Sequence, residues 1–241
     1  MQPKGRAEEL IERLVSEATA TVPRDQARQL EPFLRQYYLW ISPEDLDKQS
    51  LLDLRGAAIA HWQLGRERAA GTSKIRVYNP QFEKHGWQST HTIVEIVTDD
   101  MPFLVDSVSM AINRHGLTIH LTIHPVPHVR RDDKGLLVEV LPPGAKDHGM
   151  AESFMQFQVD RQTDTALLQT LAVDVEHVLS DVRHACEDWQ PMRERVLQIV
   201  GDLEQGAPPY DADEVTEAAA FCRWIEDHHF TFLGYCEYDR I

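Results

Sequence analysis

Three aspartates, Asp99, Asp100 and Asp106, lie around Pro102, where a strand-like run gives way to a helix-like one. Paired carboxylates can act as a general acid and a general base, but such catalysis needs a cleft and a partner that the sequence does not identify. Carboxylates at a helix N-terminus also accept free backbone N–H groups and complement the helix dipole, which stabilises the helix by about 0.5–2 kcal/mol. The sequence therefore favours helix capping as the role of these acids.

The same strand-to-helix loop could instead hold a ligand. Backbone N–H groups at a helix N-terminus bind carboxylates, such as that of a free amino acid. Every strand–helix unit has a loop of this kind, so the residues alone leave ligand binding open beside capping.

The twelve histidines raise the question of a metal site. His120, His124 and His128 would share one strand face, but residues four apart on a strand are about 13 Å apart. A zinc ion needs its ligands about 2 Å away, so these three cannot share one ion. We expect no metal site in this chain.

Motifs for catalysis and nucleotide binding are not found in the sequence. It has no G-x-S-x-G elbow, no cysteine in a recognisable catalytic context, and neither a G-x-G-x-x-G nor a G-x-x-x-x-G-K-[ST] loop. We therefore expect no catalytic residue and no bound cofactor in this chain.

The net charge of −15 argues against a nucleic-acid partner, because phosphate binding needs a basic face. The sequence has no apolar run of roughly 18 residues and no signal peptide, so we expect no membrane association. Three widely spaced cysteines suit a reducing compartment, and the predicted location is cytoplasmic.

Periodicity divides the chain into three predicted parts. Residues 1–71 form an N-terminal helical segment, residues 72–190 an α+β domain, and residues 191–241 further helices that end in the start of a strand, HFTFLGYCEYDRI, leading into a missing downstream domain. The front segment includes a cap at Ser42-Pro43. Whether it folds alone or packs on the sheet is left open.

The middle part reads strand, helix, strand, strand, helix. Gly116 ends the first helix, 102–115, and the second helix, 164–186, buries the same sheet face. A turn at Asp133–Gly135 predicts a hairpin, and Pro125 and Pro127 place one strand end at an edge or outside the sheet. This order predicts a ferredoxin-like antiparallel sheet with two helices on one face. Its last strand would come from residues 74–79 or from a neighbouring chain.

The stretch VEIVTDDMPFLVDSVSMAINRHGLTIH resembles an ACT domain, a ferredoxin-like module that typically senses amino acids. Six segments, taken in order, resemble the N-terminal region of the large bacterial NAD-specific glutamate dehydrogenases. They are RVYNP, GWQSTHTIVEIVTDDMPFLVDSV, IHPV, VRRD, DVR and HFTFLGY. The resemblance runs from about Leu51 to the end of the chain.

This resemblance implies a parent enzyme that oxidises L-glutamate to 2-oxoglutarate and ammonia with NAD, in a Rossmann-bearing domain downstream of this chain. The chain itself would be a regulatory or assembly region with the downstream domains as partners, a homo-oligomer, and a free amino acid as a possible effector. The alternative is a purely structural ACT-like oligomerisation module without a ligand. The effector-binding residues that the resemblance implies are Asp99, Asp100, Met101, Pro102, Phe103, His115 and Gly116.

Phe103 departs from the pattern of the family. ACT modules that bind amino acids usually have glycine after the loop proline, where the missing side chain lets the ligand approach. A Phe103 ring in the helix–sheet core would leave the loop open to a ligand, whereas a ring within the loop would fill the ligand space.

Overall fold

The structure is a computed structural model that describes residues 3–145, 149–206 and 209–238. Two compact units, Met1–Leu179 and Ser180–Ile241, divide the chain within one long helix.

The first unit begins with four helices, as the periodicity predicts. Their bounds are α1 Pro3–Thr19, α2 Arg24–Tyr37, α3 Pro43–Asp47 and α4 Leu51–Leu64. The predicted cap is confirmed, because the Ser42 hydroxyl accepts the Asp45 N–H at 3.2 Å. The Ser50 hydroxyl caps α4 in the same way, accepting the Asp53 N–H at 3.1 Å.

Six strands form one antiparallel sheet with β6 at its centre. They are β1 Lys74–Tyr78, β2 Thr92–Asp99, β3 Ile119–Ile123, β4 His128–Arg131, β5 Leu137–Val140 and β6 Met150–Val159. β2 pairs with one side of β6, and β3 and β4 pair in succession with the other side. β1 lies outside β2, so the chain itself supplies the strand that the predicted order lacked.

The segment 117–129, in which His120, His124 and His128 were expected to share one strand face, is β3 followed by β4. Between them the backbone still follows β6, because Phe154 and Glu152 donate their N–H groups to the carbonyls of Pro125 and Pro127, each at 3.0 Å. The prolines have no N–H to donate, but their carbonyls can accept. The predicted hairpin is confirmed as β4 and β5.

Both faces of the sheet are covered. Val97 and Phe154 are cross-strand partners that lie in one core with side chains of α1, α2 and α4. The Phe33 ring of α2 meets the Phe154 ring edge-on at 5.0 Å between centroids. The N-terminal helices therefore pack on the sheet, which the sequence left open.

Because side chains alternate along a strand, Ile96 and its partner Met155 point to the opposite face. The helix α6, Leu104–Arg114, and the part of α7, Thr165–Glu187, that belongs to the first unit cover that face with their buried apolar side chains. The predicted ferredoxin-like arrangement is confirmed. A short helix, α5, Phe82–His85, precedes β2.

The second unit contains the end of α7 together with α8, Trp189–Gln205, and α9, Ala212–Trp224, which continues as a π-helical turn over Ile225–His229. The strand predicted after this turn is wrong for the residues that the structure describes, because residues 231–238 form neither helix nor strand. Aromatic composition favours a strand, but a strand needs a partner to complete its hydrogen bonds.

Candidate functional site

The loop between β2 and α6 carries most of the predicted effector residues. Asp99 ends β2, Asp100 donates its backbone N–H to the Ala151 carbonyl at 3.1 Å, and Phe103 is the N-cap of α6. Asp100, Pro102 and Phe103 are exposed, and Met101 is half-buried. The structure brings these five neighbours together at one end of α6.

The capping interpretation concerns the N-terminus of α6. The N-cap residue is Phe103, whose side chain forms no capping hydrogen bond. Asp106 lies within the first helical turn, where its charge complements the helix dipole. The Asp99 carboxylate also accepts from Arg68.

Asp99 belongs to a buried ionic cluster at the rim of the sheet. The Arg68 guanidinium is fully buried and donates to Asp99 Oδ1 at 2.6 Å and to Glu152 Oε1 at 2.7 Å. Arg131 donates through Nε and a terminal nitrogen to the two Glu152 oxygens at 2.6 and 2.7 Å. Two guanidinium groups thus face two carboxylates, so the charges within the cluster balance.

Burial lowers the pKa of the Arg68 guanidinium, but its hydrogen bonds and charge interactions with Glu152 and Asp99 outweigh burial and raise the pKa above its ordinary value. The cluster is further fixed by the backbone, since Arg131 donates to the carbonyls of Gly65 and Gly135 at 2.7 and 2.8 Å. It joins the segment before β1 to three strands of the sheet.

The remaining predicted effector residues, His115 and Gly116, lie at the other end of α6. An eleven-residue helix is roughly 16 Å long, so they are far from the β2–α6 loop of the same chain. His115 Nε2 is 2.6 Å from Asp174 Oδ2 of α7. Gly116 has a φ of 71°, the left-handed stop that the sequence predicts.

Comparison with known proteins shows the family to which this domain belongs. The model of the family described as "Glutamate dehydrogenase, ACT1 domain" matches residues 33–175, from within α2 to within α7. The chain belongs to this family.

Relatives of this chain include NAD-specific glutamate dehydrogenases. It is 39% identical over 211 residues to that of Pseudomonas aeruginosa and 37% identical over 233 residues to that of Halomonas elongata. These alignments cover 87% and 96% of this chain but 13% and 14% of the relatives. The Mycobacterium tuberculosis enzyme is 27% identical over 179 residues, which are 73% of this chain and 11% of the enzyme.

Within the ACT1 domain, Phe103 has a φ of 69°, the left-handed conformation that glycine adopts without cost. The backbone thus retains the conformation of a glycine at the position where amino-acid-binding ACT modules usually have one. The side chain of Phe103 is 49% exposed, so the ring does not lie in the helix–sheet core, the position in which it would have left the loop open to a ligand. The strain of this conformation in a residue with a Cβ is roughly 1–2 kcal/mol.

A second buried carboxylate, Glu95, lies in the middle of β2 beneath α4. Arg76 Nε donates to it at 2.8 Å, the Tyr78 hydroxyl at 3.2 Å and the Gln156 amide at 3.4 Å. Burial raises the pKa of Glu95, and Arg76 opposes this rise. All three partners hold the carboxylate in the interior.

His61 of α4 is buried above the same part of the sheet. Its Nε2 lies 3.0 Å from the Ile96 carbonyl, so Nε2 carries the proton and Nδ1 accepts from the Tyr37 hydroxyl at 2.8 Å. Burial lowers the pKa of His61 to about 3, and the bond to Ile96 only partly opposes this change. The imidazole is neutral and structural.

Neither buried cluster was predicted from the sequence. Glu95 could have been noticed as the single acid within the apolar strand THTIVEIV. Arg68 carries no such signal, because its partner Glu152 lies 84 positions away.

Among the described residues, no group of three or more His, Cys, Asp or Glu side chains could hold a metal ion. Over the same residues, no helix combines the length and the apolar character needed to cross a membrane.

Proposed function

We propose that this chain is the non-catalytic regulatory and assembly region of an NAD-dependent glutamate dehydrogenase. The whole enzyme would convert L-glutamate, NAD and water to 2-oxoglutarate, ammonia and NADH. In this proposal catalysis and NAD binding belong to downstream domains of the same polypeptide, and the protein is cytoplasmic.

The family match carries this proposal. The chain belongs to an ACT1 domain family of glutamate dehydrogenases and spans 13–14% of the length of the Pseudomonas aeruginosa and Halomonas elongata relatives. The buried ionisable groups also fit a non-catalytic role, since Glu95, Glu152 and His61 are each held by structural hydrogen bonds. With no glycine-rich nucleotide loop in its sequence, the chain offers no fit for NAD, and we assign it no step of the reaction.

The regulatory part of the proposal places a free amino acid at the β2–α6 loop. Asp99 is engaged by Arg68, so Asp100 is the carboxylate that would meet the ammonium group of an effector. A ligand there would be coupled to the N-terminal helical segment through the Asp99–Arg68 contact. Allosteric coupling is typically about 1–3 kcal/mol.

The distance along α6 restricts how the seven predicted residues could share one ligand. His115 and Gly116 are too far from the loop within one chain. A site that used the whole set would combine the loop of one copy with the helix end of another, at a subunit boundary.

The second candidate function is assembly without a ligand, and the apolar surface of the second unit favours it. We call this surface the unit 2 apolar surface; its exposed side chains are Tyr210, Phe221, Trp224, Phe230, Leu233 and Tyr238. The Phe221 and Trp224 rings stack with 6.2 Å between their centroids, and contiguous exposed apolar groups are typical of interaction sites. Downstream domains or a second copy of the chain would cover them.

Thermal unfolding of the chain with a panel of free L-amino acids separates the two functions. We expect a saturable stabilisation by at least one amino acid that Asp100→Ala abolishes. Asp133→Ala, which removes an exposed acid from the β4–β5 turn, is the matched control and should leave it intact. No stabilisation across the panel, together with self-association in sedimentation, would favour assembly alone. Turnover of glutamate and NAD by this chain would contradict the non-catalytic role.

A further inference from the structure

A second concave site lies where α4 ends, between the start of β1 and the start of β5. We call it the Arg66–Lys74 cleft; it has a volume of about 560 Å³, which is in the range of small-molecule sites. None of the residues that line it belongs to the β2–α6 loop, so the two sites are separate. The lining residues are Gln63, Leu64, Arg66, Glu67, Lys74 and Leu136.

Two cationic side chains line the cleft, and neither is neutralised by a carboxylate. Among the residues that the structure describes, the Arg66 guanidinium and the Lys74 ammonium form no ion pair and no side-chain hydrogen bond. The neighbouring guanidinium groups of Arg68 and Arg131 are instead both paired with carboxylates. Glu67 is the one acid of the lining residues, so positive charge is in excess there although the whole chain has a net charge of −15. Positive charge along the walls of a cleft attracts anions.

The Arg66 guanidinium is held in place by its surroundings. It lies over the ring of the fully buried Trp62, 5.4 Å from the ring centroid. The backbone is fixed as well, because the Arg66 carbonyl accepts the Leu137 N–H at 2.8 Å. A guanidinium stacked on a ring keeps the N–H groups at its edge available for hydrogen bonds. A donor group that is already positioned loses less entropy when a ligand binds.

Stabilisation of the C-terminal end of α4 does not account for these cations. Backbone groups already satisfy carbonyls of the last turn, since Gly65 donates its N–H to the His61 carbonyl at 3.1 Å and Arg66 donates its N–H to the Gln63 carbonyl at 3.3 Å. Lys74 belongs to β1 and not to the helix end. The two cations are therefore brought to one cleft without a structural partner for either charge.

We propose that the Arg66–Lys74 cleft binds a small organic anion in which a phosphate or carboxylate group is joined to an apolar group. The oxyanion accepts from the Arg66 guanidinium, the Lys74 ammonium and the Gln63 amide. The apolar group contacts Leu64 and Leu136, of which Leu136 is 42% exposed. The inference does not depend on the proposed regulatory role.

NMR of the chain, read at the Arg66 Nε–H signal, tests the proposal with phenyl phosphate and benzoate as probes. We expect a saturable change of this signal with at least one of them, and the tighter probe identifies the preferred oxyanion. Lys74→Met, which removes the ammonium but keeps a side chain of similar length, should weaken that binding about tenfold or more. Lys134→Met removes an exposed cation of the β4–β5 turn outside the cleft and is the matched control, which should leave the affinity unchanged.

Three results would overturn the proposal. The first is that neither probe changes the Arg66 signal. The second is equal weakening by Lys74→Met and Lys134→Met, which would show diffuse attraction to positive charge. The third is equally tight binding of benzylamine, a cation with the same ring. Arg66→Met, read at the side-chain amide signal of Gln63, is the second variant, and unchanged affinity in it equally counts against the cleft.

Discussion

The buried guanidinium of Arg68 lies 2.6 Å from the carboxylate of Asp99, the last residue of β2. This contact ties the segment before the sheet to the start of the loop that the family resemblance implicates in ligand binding. It also removes Asp99 from the set of free carboxylates. The loop is therefore anchored on one side by a buried charge pair, and Asp100 is left as its exposed acid.

Arg68→Met tests how much this anchor contributes to stability. Removing one member of a buried ionic cluster leaves its carboxylates less compensated, and we expect the free energy of unfolding to fall by about 3–5 kcal/mol. Urea unfolding measures the change. Arg130→Met, which removes a largely solvent-exposed pair with Glu139, is the control and should cost less than about 1 kcal/mol. Equal effects of the two substitutions would contradict the assigned role of Arg68.

The left-handed conformation of Phe103 predicts an unusual order of stability between two variants. Phe103→Gly and Phe103→Ala both remove the half-exposed ring, but only glycine relieves the strain of a Cβ at positive φ. We expect the glycine variant to be more stable than the alanine variant by roughly 1 kcal/mol, after the entropic cost of glycine is subtracted. Thermal unfolding of the two variants side by side checks this order. An alanine variant that is as stable as the glycine variant would show that the loop has a different conformation in solution.

His61 predicts a loss of stability in mild acid. Its folded-state pKa of about 3 is below the ordinary value of 6.5, so between these values the unfolded chain binds a proton that the folded chain does not. The contribution of His61 is complete above pH 6.5 and falls with decreasing pH, by about 1.4 kcal/mol for each pH unit down to about pH 3.

The comparison of wild type with His61→Gln isolates this contribution from that of Glu95. The pKa of Glu95 is raised, so its effect on stability has the opposite sign as the pH falls through its own titration. Urea unfolding at several pH values should give a difference between the two proteins that shrinks as the pH falls below 6.5. A difference that does not change with pH would mean that the pKa of His61 has its ordinary value in the folded state.

The unit 2 apolar surface predicts that charge placed there interferes with assembly. Phe221→Glu and Trp224→Glu alter exposed side chains, so the free energy of unfolding should change by less than about 0.5 kcal/mol. We expect both substitutions to weaken association in analytical ultracentrifugation. Met110→Glu, an exposed position on α6, is the matched control. Unchanged association of all three variants would reject this surface as an interface.

Patterns in the sequence correctly predicted the elements that depend on interactions between residues close together in the chain. The apolar stripe of α6, its glycine stop at Gly116 and the turn of the β4–β5 hairpin depend on residues a few positions apart. The sequence could not predict the Arg68–Glu152 pair, because a long-range partner leaves no local pattern. Phe103 at positive φ was unexpected for a related reason, since the surrounding structure imposes a conformation that phenylalanine rarely adopts alone.

The strand predicted after His229 was wrong for the described residues, because a strand also depends on a partner distant in the sequence. Its composition suits a strand, but composition does not supply a neighbour with which to pair. The predicted effector residues show a similar limit, because sequence proximity to one helix placed His115 with the loop although the length of that helix separates them.

The shared core of Phe33 and Phe154 limits how this region can be moved between proteins. A fragment of residues 72–190 would expose one apolar face of the sheet to water. It would also lack Arg68, one of the two guanidinium groups that contact Glu152. The ferredoxin-like layer therefore cannot be transferred alone, and a graft into another protein should include the helices from Pro3 onward.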